Sequence, residues 1–333
     1  MTQTHKLLTL ALAATLAFAA CDKDDNSGKQ IEWMEDYYYS SSSRSTDGRF
    51  HRTRFSWEGG QLRRLEYFDA DNQRVIYYIE IVYEDGKAKE VRGYDESGKA
   101  WESATLSATL FYTDDKITSI QSSSYAVTYE YNSAGELVKV TGSDGSTTTF
   151  LWENGNIVEE RHEDRITTYT YDNKTNPYHS ACIVAYLGEP GARMLSRNNI
   201  VSETYTSGDY ESRDEYSYTY DGDYPTTVTS NTSDGKDVTY FRYTDGSGMS
   251  APDMCHIKIE DGYEDHESRP YYVYGVGTYA KGDKVIISTD ADYFHDDTFY
   301  IFSHWSDGNT DNPRTFTATA DVTLRPVYTA AEY

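Results

Sequence analysis

Few side chains in these 333 residues are spaced for chemistry. The most metal-like run is Asp307-Gly308-Asn309-Thr310-Asp311, which begins like a calcium loop. It then departs from one, because the sixth position is Asn312 rather than Gly and the twelfth is Ala318 rather than the bidentate Glu. Asp290, Asp292, Asp296 and Asp297 gather around His295, and in so acidic a chain they read as a solvated loop. His162-Glu163-Asp164 and Asp265-His266-Glu267 set imidazoles beside acids. Neighbours on a strand point to opposite faces, so adjacency makes no catalytic pair. No H-E-x-x-H, G-x-S-x-G, G-x-x-x-x-G-K or G-x-G-x-x-G run occurs. The expectation is a protein that is not an enzyme, with no metal site and no cofactor. The catalytic alternative is an undetected hydrolase, its carboxylate pair assembled from distant acids.

Cys21 carries chemistry of another kind. A basic start ending in Lys6 precedes an apolar run from Leu7 to Phe18, then Ala19-Ala20 and Cys21. A basic, an apolar and a small-residue segment in that order form an export signal. The apolar run is shorter than a bilayer span requires. The Ala-Ala-Cys junction resembles the bacterial lipobox, with Phe18 where Leu is more usual. Lys23-Asp24-Asp25 just beyond it resembles the acidic export signal of Bacteroidetes surface lipoproteins. These resemblances imply cleavage after residue 20, acylation of Cys21 and anchoring to the lipid bilayer of the outer membrane, facing outward. Residues 21–30, polar and containing Ser and Gly, then form a flexible tether.

Formal net charge is −25, which argues against nucleic acid or anionic lipid headgroups as partners. Tyrosine is the compositional outlier, at 33 residues against 11 Phe and 5 Trp. Tyr suits half-buried strands, with an apolar ring and a polar tip. Cys182 and Cys255 are far apart in sequence, and two buried thiols are favoured over one disulfide because no framework of spacings supports pairing.

The middle of the chain repeats. Trp57-Glu58-Gly59-Gly60-Gln61-Leu62 is followed by Leu65, and Tyr83-Glu84-Asp85-Gly86-Lys87 by Val91. The units at Tyr112, Tyr131, Trp152, Tyr171 and Tyr220 share the form. Each has an aromatic, an acid or Asn, a turn and then an apolar pair three residues apart. The aromatic ends a strand, and Asp-Gly, Asn-Gly or Gly-Gly supplies the positive φ of a tight hairpin, so Gly86 and Gly155 should adopt it. Tyr125, Val127, Tyr129 and Tyr131 alternate with small or polar residues, as in an antiparallel sheet solvated on one face. A long meander must curl, close or be covered. The units resemble the YD repeats of Rhs-type proteins. Residues 169–178 resemble more closely a Bacteroidetes lipoprotein family of unknown function with a porin-like fold. That resemblance covers roughly residues 31–246 and implies a barrel-like antiparallel sheet without catalytic residues.

The pattern changes at the small-residue linker, residues 247–253. Beyond it stand Gly275-Val276-Gly277-Thr278-Tyr279-Ala280-Lys281-Gly282, Phe302-Ser303-His304-Trp305-Ser306-Asp307-Gly308, Asn312-Pro313-Arg314 and Asp321-Val322-Thr323-Leu324. In this order they resemble a divergent internalin-type B-repeat over roughly residues 254–329. The resemblance implies a small β-rich, β-grasp-like domain of the kind used as surface spacer or adhesin. Strand alternation places Phe302 and Trp305 on opposite faces.

The reading is an all-β chain: signal peptide 1–20, tether 21–30, β-meander domain 31–246, linker 247–253 and B-repeat-like domain 254–333. Its expected role is a non-catalytic cell-surface lipoprotein acting as a binding, adhesion or scaffold module, with surface glycans or proteins as partners. The alternative is a glycan-binding lipoprotein that uses exposed Tyr and Trp. Trp305 is the candidate ligand contact, against a core position capping the turn below it. Solvent-facing Tyr rows would favour the glycan reading, and a concave cluster of acids the hydrolase.

Overall fold

The computed structural model describes residues 28–69, 74–100, 107–187, 190–231, 235–260 and 271–331. Cys21 and the signal lie outside the described residues. The chain opens with β1 (Ile31–Ser41), β2 (Thr46–Glu58), β3 (Gln61–Phe68) and β4 (Val75–Glu84). Then come β5 (Lys87–Asp95), β6 (Ala108–Thr113), β7 (Lys116–Gln121) and β8 (Ala126–Tyr131). Next are β9 (Leu137–Gly142), β10 (Thr147–Glu153), β11 (Asn156–His162) and β12 (Arg165–Thr175). β13 (Asn198–Ser207), β14 (Tyr210–Asp221), β15 (Tyr224–Asn231) and β16 (Gly235–Tyr243) complete the set. Each strand pairs with its sequence neighbours, and β1 pairs with β16, so the meander closes into a barrel and leaves no free edge.

The repeat explains how the strands are built. Asp85 and Gly86, and Asn154 and Gly155, all have positive φ, the backbone twist that a two-residue hairpin requires. Register shifts fall beside Trp57, Tyr83, Tyr112, Tyr131, Trp152 and Tyr220. Trp57 pairs with Leu62 while Ser56 pairs with Arg64, which leaves Arg63 as an extra residue. The same arithmetic leaves Lys89 and Thr118 as extras in the next two repeats. Each is a β-bulge, and it moves the strand's inside–outside phase by one. The apolar pairs therefore both face inward: Leu62 with Leu65, Ala88 with Val91, Ile117 with Ile120, all at most 1 % exposed.

The aromatics of the repeat tie successive hairpins together. Tyr83 donates its hydroxyl to the carbonyl of Leu62 at 3.0 Å, Tyr112 to Ala88 at 2.7 Å and Tyr131 to Ile117 at 2.8 Å. Trp57 and Trp152 do the same with their indole N–H, to Ile31 and Leu137, each at 2.7 Å. Tyr171 donates to Ile157, and Tyr243 to Pro225 at 2.6 Å. Each donor reaches the carbonyl that opens the strand of the preceding hairpin. Only Tyr and Trp combine the apolar ring with the polar tip this position needs.

The Tyr171 unit lacks Gly and does not turn tightly. Asn176-Pro177 instead opens a kinked 3-10 segment, Pro177–Leu187, followed by one turn of helix, α1 (Ala192–Leu195). The Asn176 side chain donates to the carbonyls of Arg193 and Ser196, at 2.9 and 2.7 Å, and so holds the two ends of this excursion together. Ala181, Ile183, Ala185, Tyr186 and Met194 join the inward strand residues in one core, so the segment plugs the barrel.

Outward positions carry ion pairs: Arg64–Glu66 at 3.0 Å, Arg92–Glu90 at 2.6 Å, Lys139–Glu130 at 2.8 Å and Arg161–Glu159 at 2.6 Å. A membrane-spanning barrel reverses this order, with an apolar outer band and a polar interior. The exposed large apolar residues Ile76, Phe111, Leu151 and Tyr210 of this wall lie on four different strands.

The remaining strands are β17 (Met254–Ile259), β18 (Val273–Tyr274), β19 (Gly277–Ala280), β20 (Lys284–Thr289) and β21 (Asp292–His295). β22 (Thr298–Trp305), β23 (Arg314–Thr317), β24 (Val322–Leu324) and β25 (Pro326–Ala330) follow. They form three three-stranded sheets, in orders β19-β17-β24, β18-β20-β23 and β21-β22-β25, with β17 and β24 parallel. The described residues form two compact units. The first is the chain up to Glu35 with Arg52–Ser230 and Thr239–Ser250, and the second is Asp36–His51, Asn231–Val238 and the chain from Ala251. Within the second, Tyr37 donates to the Asp283 carboxylate and Tyr39 to the Lys284 carbonyl at 2.9 Å. The Tyr279 hydroxyl bonds the Thr46 side chain at 3.0 Å, and Thr46 Oγ1 accepts from the Ile286 amide at 3.1 Å.

A bulge also revises the phase of β22. The register shifts between Phe302 and His304, so Phe302 and Trp305 share the core, edge to face at 5.5 Å, instead of facing apart. Asp296 and Asp297 have positive φ and form the β21–β22 turn, so the acidic run is a hairpin rather than a loop.

Candidate functional site

The barrel interior opens at the end formed by the turns after β9, β11 and β13. There a cavity of about 580 Å³ remains. Its size follows from the sequence. Gly142, Ser146, Thr148 and Thr167 face inward near these turns and are small, whereas Tyr129, Phe150 and Tyr171 fill the levels below. The opposite wall of the cavity is the plug, with Gly191, Ala192, Arg193 and Met194.

Two carboxylates and two guanidinium groups line it: Glu160, Glu203, Arg165 and Arg193. Glu160 lies on the inward face of β11, one inward position before His162, and accepts the backbone N–H of Ala192, which fixes α1 to the wall. A Cβ at Gly191 would lie 3.0 Å from the Glu160 carboxylate, so glycine allows this approach. Arg193 donates to the Tyr216 hydroxyl at 3.0 Å, sits over that ring at 4.9 Å and lies 3.9 Å from Glu203. Desolvation opposes the Arg193 charge, but Tyr216, Tyr178 and Glu203 outweigh it and hold its pKa above the ordinary Arg value. Burial, reinforced by Glu160 and Glu203, pushes the Tyr169 hydroxyl well above its usual pKa, so it stays protonated and a donor. Burial likewise pushes Tyr216 up to about 12. Thr148 and His162 bond each other at 2.9 Å across β10 and β11.

The residues singled out by sequence lie elsewhere. Trp305 is fully buried; its indole N–H donates to the Asp311 carbonyl at 2.8 Å, and no ring face is open to a ligand. Asp307 is gripped by Arg314 through two contacts, at 2.7 and 2.8 Å, and this ion pair holds its carboxyl below the usual pKa. Among the described residues no cluster of three or more His, Cys, Asp or Glu side chains is arranged to hold a metal. Cys255 is a free, buried thiol, and burial raises its pKa. The strand tyrosines Tyr67, Tyr77, Tyr129 and Tyr243 face the barrel interior, whereas Tyr272 and Tyr274 in the second unit are exposed side by side, ring centroids 6.5 Å apart.

Glu160, Arg193 and Glu203 were not legible as a site. One signal was present. Glu160 stands three residues after Ile157, where earlier units carry Leu65, Val91, Ile120 and Val140. A carboxylate at the second position of an otherwise apolar pair marks the place where the core opens.

Strand order and filled interior define the class, a closed antiparallel β-barrel with a plug and a water-facing wall. No protein-family model matches the chain, and no curated protein matches it. Among solved structures it is similar to a porin-like protein from Bacteroides uniformis, at 15 % identity and TM-score 0.43, over 65 % of this chain and 99 % of that one. It is similar also to a porin-like protein from Bacteroides vulgatus, at 13 % identity and TM-score 0.30, over 65 % and 99 %. A putative outer membrane lipoprotein-sorting protein domain from Vibrio parahaemolyticus aligns at 10 % identity and TM-score 0.27, over 70 % and 92 %.

Proposed function

We propose that this protein is a non-catalytic binding module, held at the outer membrane by an acylated Cys21 and facing outward, with the barrel cavity as its ligand site. The observation that carries the proposal is the cavity itself, set at one end of a plugged barrel. Its volume falls within the range of small-molecule sites, roughly 300–1,000 Å³, and it mixes apolar walls with a few convergent polar groups. The hydrolase alternative asks for an acid and a base free to act on substrate. Here Glu160 is committed to the α1 backbone and Glu203 lies beside Arg193. The second unit serves as the spacer or adhesive part of the same surface protein. The test is a fragment library screened by saturation-transfer NMR against the unlipidated mature chain and against Thr167→Trp, which fills the cavity. Hits of any class that vanish in the filled variant support the reading. A screen in which every hit survives filling contradicts it.

A further inference from the structure

We infer that the cavity takes a neutral, hydroxyl-rich ligand, a saccharide unit, and this rests on the reading of the cavity as the binding site. The charges that line it balance, with Glu160 and Glu203 against Arg165 and Arg193. That balance is local, since the chain as a whole carries −25. A simple cation or anion entering the cavity would meet both signs and gain little from either. An apolar ligand would strip water from four ionised side chains without replacing their hydrogen bonds.

A saccharide satisfies both demands. Its hydroxyls donate to carboxylates and accept from guanidinium groups, and planar Arg and Glu side chains present pairs of donors or acceptors at the spacing of adjacent hydroxyls. Ser146, Thr148, Thr167, Tyr169 and Tyr205 add five hydroxyl groups around the same space. The C–H faces of a pyranose ring need apolar cover, and Val127, Val140, Ile200 and the tyrosine rings supply it. The ligand is therefore held inside the barrel mouth and not on an exposed aromatic row.

The experiment is saturation-transfer NMR with neutral mono- and disaccharides, including maltose, cellobiose and lactose, and with glucuronate and choline as charged probes. It uses the full mature chain with Cys21→Ser. The fillers Thr167→Trp and Ser146→Trp are run in parallel, so that one misfolded variant does not decide the outcome. The expected result is binding of at least one neutral saccharide, lost in the filled variants and weakened at least tenfold in Glu203→Gln. Cavity-dependent binding confined to glucuronate or to choline overturns the ligand class and leaves the cavity as a site. A panel in which no neutral saccharide gives a cavity-dependent signal, while unrelated fragments do, also overturns the class. No cavity-dependent signal from any compound overturns both.

Discussion

The indole N–H of Trp57 donates to the carbonyl of Ile31 at 2.7 Å, across to the adjacent strand. The same bond, made by Tyr or Trp, recurs from hairpin to hairpin along the barrel. A bulge disturbs the ladder where each strand begins, and the aromatic of the next hairpin supplies a donor there. Tyr83→Phe, Tyr112→Phe and Tyr131→Phe keep the ring and remove only this donor. Each should cost about 1–3 kcal/mol, the penalty for a buried acceptor left without its partner. Urea unfolding of the three variants checks this, and three unchanged midpoints would remove the role assigned to the hydroxyls.

Deleting a bulge residue should cost less than emptying the core site beside it. Thr118 is the extra residue between Ile117 and Ile120. Without it the two isoleucines stand two apart, and a regular strand keeps both on the inward face. Ile120→Ala instead empties a fully buried site and should cost about 2–5 kcal/mol. Thermal unfolding of the Thr118 deletion, read beside that of Ile120→Ala, compares the two. A deletion as damaging as Ile120→Ala would contradict the phase argument.

Stability should fall in alkali through the buried tyrosines. Burial pushes Tyr279, Tyr216 and Tyr328 up to about 12. In the unfolded chain a tyrosine ionises near ~10. The contribution of these groups is therefore complete below ~10 and is lost as pH rises through about 12, because the unfolded state releases protons first. Unfolding free energy against pH, together with tyrosinate absorbance, measures it. Titration of all tyrosines near the ordinary value in the folded protein would contradict the burial of these side chains.

In the second unit, a Cβ added at Gly48 would lie 2.5 Å from the backbone oxygen of Thr278, so Gly48→Ala must push strands apart. The expected loss is about 1–3 kcal/mol, as for other overpacked sites. Trp305→Ala should cost roughly 3–5 kcal/mol as a core truncation. A fragment starting at Met254 lacks Tyr37, Thr46 and Gly48, the partners of Asp283, Tyr279 and Thr278, and should unfold at lower denaturant than the same unit in the whole chain. Equal midpoints would show that Asp36–His51 adds nothing to this unit.

Much of the fold could be read from the residues. The Asp-Gly and Asn-Gly turns fix hairpins, and alternating tyrosines fix which face turns inward. The bulges are not legible because strands alternate with a period of two, whereas the apolar pairs of this repeat stand three apart. The same alternation puts Phe302 and Trp305 on opposite faces. The plug was hidden because Tyr171-Asp172-Asn173 begins like its neighbours, and only the missing Gly separates a tight turn from a long excursion. The cavity depends on residues from six strands and the plug, whose convergence no local pattern encodes. Glu160, breaking the apolar pair after Ile157, was the single local trace of it.

The central claim is a barrel whose wall faces water and whose interior is filled, so that it binds rather than conducts. The most direct test uses the chain from Lys29 onward, produced without detergent, sized in solution and then added to planar lipid bilayers. The account predicts a soluble barrel that raises no ion conductance. Dependence on detergent, with stepwise conductance on insertion, would contradict it.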